Sequence, residues 1–202
     1  MRNVLLVIVA ISFALAGRAG AQFAVGPRVV VSVPTGSMAD ELKSGEGVGV
    51  KAFYTLPQAQ VLALRGDFDY LSYSSRPVGD FYYYAGSQRQ EAFRLTVGPQ
   101  LAVDVGRFRI YAAALGGLYI FQDVYAVTDA WGFGYSESKT RTKWEWNAGG
   151  GAMVDIGLGP WVDVECRYHS VKDMVSMRQD NVTTESDGED ISVHLGVVFF
   201  LR

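Results

Sequence analysis

The chain has 202 residues, with 18 basic and 21 acidic side chains for a formal charge of −3, 13 % aromatics, 23 glycines and a single cysteine. That length suits one domain, and the excess of acid argues against nucleic acid as a partner. Cys166 has no second cysteine to pair with, so no internal disulfide framework exists.

The first segment, "MRNVLLVIVAISFALAGRAGAQ", places Arg2 before an apolar run from Val4 to Leu15 and ends in Ala19-Gly20-Ala21. A charged start, a short apolar stretch and small residues at the cut are the layout of a secretory signal. The run is shorter than the roughly 20 residues of a spanning helix. No stop-transfer pattern follows it, which disfavours a retained helical anchor. The expectation is a signal peptide over residues 1–21, cleaved after Ala21, and a mature domain over 22–202. Losing Arg2 and Arg18 and no acid moves the formal charge from −3 to −5.

Eight alternating segments follow. Val25, Val29, Val31 and Val33 oppose Gly26, Arg28, Val30 and Ser32. Val48, Val50, Ala52 and Tyr54 oppose Gly47, Gly49, Lys51 and Thr55. In the third, Leu62, Leu64, Phe68 and Tyr70 oppose Arg65, Asp67 and Asp69. The fourth, "FRLTVGPQLAVDVG", sets Phe93, Leu95, Val97, Leu101 and Val103 against Arg94, Thr96, Gly98, Gln100, Ala102 and Asp104.

The fifth places Phe108, Ile110, Ala112, Ala114, Leu118 and Ile120 opposite Arg109, Tyr111 and Tyr119. In the sixth, Trp144, Trp146, Ala148, Ala152, Val154 and Ile156 face away from Glu145, Asn147, Gly149, Gly151 and Asp155. Val162, Val164, Cys166 and Tyr168 then oppose Asp163, Glu165, Arg167 and His169. The last sets Ile191, Val193, Leu195, Val197 and Phe199 against Ser192, His194, Gly196 and Val198. Strict period two means strands with one apolar and one polar face.

Connections alternate in length. "LPQAQ", "DVGRF" and "GLGP" are tight and rich in the residues of reverse turns. Between them lie polar stretches, read as long loops, at about 34–45, 74–91, 122–142 and 172–189. Short turns at one end and long loops at the other describe an even-numbered antiparallel meander, and outer-membrane barrels have this asymmetry. The third loop is long enough for an additional hairpin, which would make ten strands.

Charge decides which face is wet. Every charged side chain of the strand cores lies on the polar rows, from Arg28 and Lys51 through Arg167, and none lies on the apolar rows. A soluble lipocalin-like barrel would turn the charges outward, whereas a membrane barrel turns them to its axis. Aromatics favour the membrane. Tyr70, Phe93, Trp144, Trp146 and Tyr168 mark one end of the apolar rows, and Phe23, Tyr54, Phe108 and Phe199 the other, as interfacial girdles do. Leu95, Val97, Leu195 and Val197 are therefore expected to touch lipid. Pro27 and Pro99 also fall on that face. Proline removes a ladder hydrogen bond, so a bulge is expected at each.

On this pattern, and on the final strand "ISVHLGVVFFLR", the chain from Phe23 to Arg202 resembles the OmpA/OmpX-like small outer-membrane β-barrels. The resemblance implies an all-β, eight-stranded antiparallel up-and-down transmembrane barrel in the bacterial outer membrane. Its implied partners are outer-membrane lipid and lipopolysaccharide, the barrel-assembly machinery, and a surface ligand reached by the long loops. The final strand departs from the usual terminal aromatic, since Phe199 and Phe200 are followed by Leu201 and Arg202.

No catalytic, cofactor or metal residues are expected. "RYHS" invites comparison with barrels that deacylate lipid A through a histidine and a serine two positions apart, on one face of a strand. Here His169 and Ser170 are adjacent and Val171 holds the serine position. His194 is expected to join a polar network in the lumen. The acids of "TESDGEDIS" (Glu185, Asp187, Glu189 and Asp190) lack EF-hand spacing and read as a solvated loop. "NVT" at 181–183 matches a glycosylation acceptor of little meaning in a bacterial envelope, and the glycines of "NAGGGA" are expected to relieve crowding in a narrow barrel. Phe81, Tyr82, Tyr83 and Tyr84 in one loop, and Tyr125, Trp131, Phe133 and Tyr135 in another, either contact a partner or extend the strands.

The sequence reading is therefore an envelope-integrity or surface-interaction barrel with a polar, largely plugged lumen. Its alternative is a narrow porin-like channel for small solutes, with a lipid-modifying enzyme a weaker third.

Overall fold

A computed structural model describes residues 22–36, 38–73, 84–129, 134–179 and 182–201. The strands are β1 (Gln22–Thr35), β2 (Gly45–Leu56), β3 (Ala59–Tyr73), β4 (Tyr84–Val105), β5 (Phe108–Asp129), β6 (Gly134–Asp155), β7 (Trp161–Gln179) and β8 (Val182–Leu201). A single helical turn, α1 (Met38–Glu41), lies between β1 and β2. Each strand pairs antiparallel with its successor, and β8 pairs back on β1, so the eight strands form a closed barrel. Closure gives every strand two neighbours and leaves no edge in the barrel wall, the condition for β structure in hydrocarbon.

The turns at one rim are short. Pro57 and Gln58 join β2 to β3, and Gly106 and Arg107 join β4 to β5, with Gly106 at φ 63°. Residues 156–160 join β6 to β7 and use Gly157 and Gly159 at φ 77° and 100°. Such φ values are open to glycine at no steric cost.

The other rim differs from the loop reading. Strand pairing continues to Tyr84↔Asp129 between β4 and β5 and to Thr128↔Gly134 between β5 and β6. Most of 84–91 and 122–142 is therefore hairpin, in line with the barrel strands. Among the described residues no additional pair of strands forms there, and the closed barrel has eight. The stretch 172–189 is likewise mostly strand, interrupted by a bulge where pairing passes from Val171↔Gly188 to Val175↔Ser186. Asp173 takes φ 51° in that bulge, and its N–H and the Lys172 ammonium both reach the Asp187 carboxylate, at 3.2 and 2.6 Å. These two donors hold the Asp187 carboxyl below the ordinary carboxylate range. Of the loop aromatics, Tyr84, Tyr125 and Tyr135 lie in these hairpins, while Phe81, Tyr82, Tyr83, Trp131 and Phe133 lie outside the described residues. So does Asn181 of the glycosylation-like triplet.

The two faces divide as charge demands. Arg65 and Arg94 are buried, whereas Leu95, Val97 and Leu195 on the opposite rows are about half exposed, Val97 at 58 %. Val197 is half-buried on the same outer row. Trp144 and Trp146 stand out from the wall, and rings pair between neighbouring strands: Tyr70 with Phe93 at 5.1 Å and Trp146 with Tyr168 at 5.6 Å. At the short-turn rim Phe108 and Phe199 are exposed and Tyr54 is half-buried. Phe23 departs from the girdle expectation and is buried.

The expected bulges at the prolines are absent. Val25↔Phe199 and Arg28↔Gly196 keep one register across Pro27, as Val97↔Gly116 and Gln100↔Ala113 do across Pro99. The ladder skips two residues at each site without shifting. The preceding glycine explains the fit: a side chain on Gly26 would strike the carbonyl oxygen of Val197, and one on Gly98 that of Ala114. Lacking a Cβ, each glycine lets the neighbouring strand stay close while the proline, which has no N–H to offer, sits in the gap.

The division of faces makes a stability prediction. Val97→Arg should destabilise the folded barrel by roughly 2–4 kcal/mol, the cost of arginine near the bilayer midplane. Thr140→Arg, on the outer row of the β6 extension, should cost far less. Urea unfolding in lipid vesicles measures both, and equal stability of the two variants would mean that the Val97 row does not face hydrocarbon.

Candidate functional site

The site is built by alternation alone. Strands β1 to β8 each turn every second residue to the axis, so side chains far apart in sequence meet there. Arg28 of β1 donates Nε and Nη2 to the two carboxylate oxygens of Asp69 on β3, at 2.9 and 2.7 Å. Arg65 of β3 makes the same two-point contact with Glu165 of β7, at 2.9 and 2.7 Å, and its Nη1 also reaches Gln100 at 3.0 Å. Arg167 bridges Glu165, at 2.7 Å, and Asp67, at 2.5 Å. A two-point arginine–carboxylate contact fixes geometry as well as charge.

Toward the short-turn rim, Lys51 donates to Asp163 at 2.6 Å, and Tyr111 donates to the other oxygen of that carboxylate at 2.7 Å. Below them an apolar cluster gathers Ala24, Phe53, Ala63, Tyr111, Met153 and Val198, with Trp161 and Phe200 against it. At the opposite end Arg94 pairs with Asp190 and lies over the Tyr119 ring. Above it Val30, Leu71, Tyr73, Ala92, Phe121 and Val171 form a second apolar cluster, joined by Met38 of α1 and by Leu42 just after it.

The glycine expectation holds in detail at two positions. A Cβ on Gly149 would lie 2.6 Å from the Arg167 side chain, and one on Gly151 would lie 2.6 Å from the Tyr111 hydroxyl. Each glycine gives its volume to a large polar side chain on an adjacent strand.

The two histidines meet across strands. His169 and His194 are buried, with ring centroids 6.3 Å apart. His169 Nδ1 lies 2.5 Å from Glu145 Oε1, and its Nε2 lies 2.6 Å from Ser192 Oγ. His194 Nε2 is 2.7 Å from the same hydroxyl. The expectation that His194 joins a lumen network is met. Sequence spacing misses the serine, because Ser192 is on β8, a register partner of Arg167, two residues from His169 on β7. The acidic stretch also divides: Asp187 is at the surface, while Asp190 is buried and accepts from Ser32 at 3.0 Å. It is part of β8 and not a solvated loop. Among the described residues no group of three metal-ligating side chains assembles.

With this geometry in view, a family comparison is decisive. The model of the outer membrane protein beta-barrel domain matches residues 4–199. The chain belongs to this family. Among solved structures, the family member is similar to a major outer membrane protein from Thermus thermophilus, with a TM-score of 0.51 and 11 % identity over 91 % of this chain and 100 % of that one. Neisserial surface protein A is similar at a TM-score of 0.50 and 14 % identity, over 88 % and 98 % of the two chains. The attachment invasion locus protein Ail of Yersinia pestis gives 0.48 and 14 %, over 90 % and 97 %. At such identities the likeness to the first two is one of fold. No curated protein matches the chain.

The buried pairs make a second prediction. Lys51→Met leaves Asp163 charged and buried with Tyr111 as its remaining donor, and should cost about 3–5 kcal/mol. Lys51→Met combined with Asp163→Leu removes both charges and should regain most of that. Urea titrations followed by heat-dependent gel mobility measure the cycle. Additive losses would show that the two residues do not act as a pair.

Proposed function

We propose that residues 22–202 form a bacterial outer-membrane barrel whose lumen is plugged, and that its role is envelope integrity or contact made by the hairpins above the membrane. In this reading residues 1–21 are the export signal, cleaved after Ala21. Lipid and lipopolysaccharide surround the wall, and the assembly machinery inserts it. The observation that carries the reading is the sequence of layers along the axis: an apolar cluster, ion pairs between strands that are not neighbours in the ring, and a second apolar cluster. Charges in so narrow an interior are stable only when paired and hydrogen-bonded, and pairs that tight leave ions no ligands to exchange. Function then falls to the extended β4–β5–β6 strands and the β7–β8 hairpin, carried on a rigid base.

Reconstituted protein should show no steady ohmic conductance in planar bilayers. Large, steady channels would instead support a narrow porin. Shortening 78–88 and 126–138 to glycine-serine turns should leave folding intact and remove whatever surface binding the cell shows. Undiminished binding by a folded, shortened barrel would move the function away from those hairpins.

A further inference from the structure

We propose that Ser192 is a nucleophile for short carboxylic esters, activated by His169 and covered by α1. The placement of protons supports this. The Glu145 carboxylate can only accept, so His169 carries its proton on Nδ1 and presents a bare Nε2 to Ser192. The reverse tautomer would set two lone pairs against each other at 2.5 Å. Ser192 therefore donates to His169, and the one remaining way for His194 to meet the same hydroxyl is by donating its Nε2–H. That assignment leaves His194 Nδ1 without a proton, and Nδ1 is a buried atom with no hydrogen-bond partner. The chain of donors thus runs in one direction, from His194 through Ser192 and His169 to Glu145.

A hydroxyl donating to an imidazole that a carboxylate orients is the arrangement of an activated serine. In the reaction, Ser192 Oγ bonds to the acyl carbon while His169 Nε2 takes the hydroxyl proton. The ester C–O bond breaks, and that proton leaves with the alcohol. Water then attacks the acyl-serine and gives a proton to His169, which passes it to Ser192 Oγ as the acyl C–Oγ bond breaks, so that the acid leaves and the serine is restored. His194 Nε2–H, freed from Oγ as the new bond forms, is a donor for the oxyanion. Glu145 is a positioning residue, acting through His169.

Access is the second part. Ser192 is fully buried. Above it lie Arg94 with Asp190, and then the apolar cluster to which, among the described residues, Met38 and Leu42 come from outside the strands. Backbone bonds within that turn include Ala39 N–H to Gly36 O at 3.2 Å and Leu42 N–H to Met38 O at 2.9 Å. Among the described residues the rest of the cap is barrel wall. Entry in this proposal requires α1 to move aside and the Arg94–Asp190 pair beneath it to part, and the side chains that stay on the wall then admit only a short acyl group.

The test uses the full folded barrel in detergent and methyl fluorophosphonate as a small serine probe, read by intact mass and peptide mapping. One adduct on Ser192 is expected, forming at least about 10-fold faster when Met38→Ala and Leu42→Ala loosen the cover. Ser192→Ala should abolish it, and His169→Gln should slow it by about 10²–10⁴-fold. Glu145→Gln should displace the pH at which labelling is half-maximal, while Glu145→Asp retains the parent profile. Ser192→Cys in a Cys166→Ser background reports access independently, through a methanethiosulfonate reagent. Suppose that the thiol of this variant reacts in a folded, loosened barrel while the parent serine takes no adduct there. That result would overturn the nucleophile. A thiol that stays unreactive in the loosened barrel would overturn the cover. A folded lumen that conducts no ions is compatible with either result, so failure here leaves the scaffold reading to its own test.

Discussion

Hydrocarbon offers no hydrogen-bond partner to a peptide group, and the whole molecule is arranged around that deficit. Eight strands satisfy it by pairing in a closed ring. Closure then dictates the side chains, because the residues that alternate inward have no solvent to reach. They must be apolar and close-packed, or charged and paired. This barrel uses both, in layers. The two Gly-Pro sites show how strongly pairing is defended: the ladder skips a proline yet keeps its register on both sides.

The inward layers are linked through shared partners. Glu165 receives both Arg65 and Arg167, and Arg167 reaches on to Asp67. Removing one member leaves others charged and buried, so the network is stable as a unit and fragile in its parts. Glycine takes part by subtraction. The Tyr111 hydroxyl can accept from Lys51 and donate to Asp163 because Gly151, its register partner on β6, has no side chain.

What is legible in the sequence follows from this physics. The apolar rows of all eight strands are readable because lipid admits no charge there. The short turns are readable because Gly106, Gly157 and Gly159 adopt backbone angles that other residues resist. The hairpin extensions are not. Beyond the bilayer both faces of a ladder can be polar, so alternation fades while pairing continues, and 122–142 resembles a loop. The cross-lumen site is half legible. Polar rows identify which side chains face inward, but the partner of each depends on strand stagger around the ring. Spacing sets His169 against its sequence neighbour Ser170, whereas the hydroxyl that it meets is on the next strand. Met38 and Leu42, two apolar residues one helical turn apart in a polar connection, are the signal in the sequence that points to the cover.

Stagger has a further consequence for the long-loop rim. Pairing of β6 with β7 ends at Glu145↔Val171, while β6 continues with β5 to Gly134. The bulge at 172–174 falls just past that last pair, so the strands part where β7 first gains extra residues. Glu145, the carboxylate that orients His169, therefore sits in the last rung before the wall divides. The bulge is held by Lys172, Asp173 and Asp187, all at the surface, whereas Val171 beside it packs into the apolar cluster beneath α1. A disturbance of the exposed bulge is thus one residue from the cap of the lumen. The rim is the place where the rigid barrel and its extended hairpins are mechanically joined.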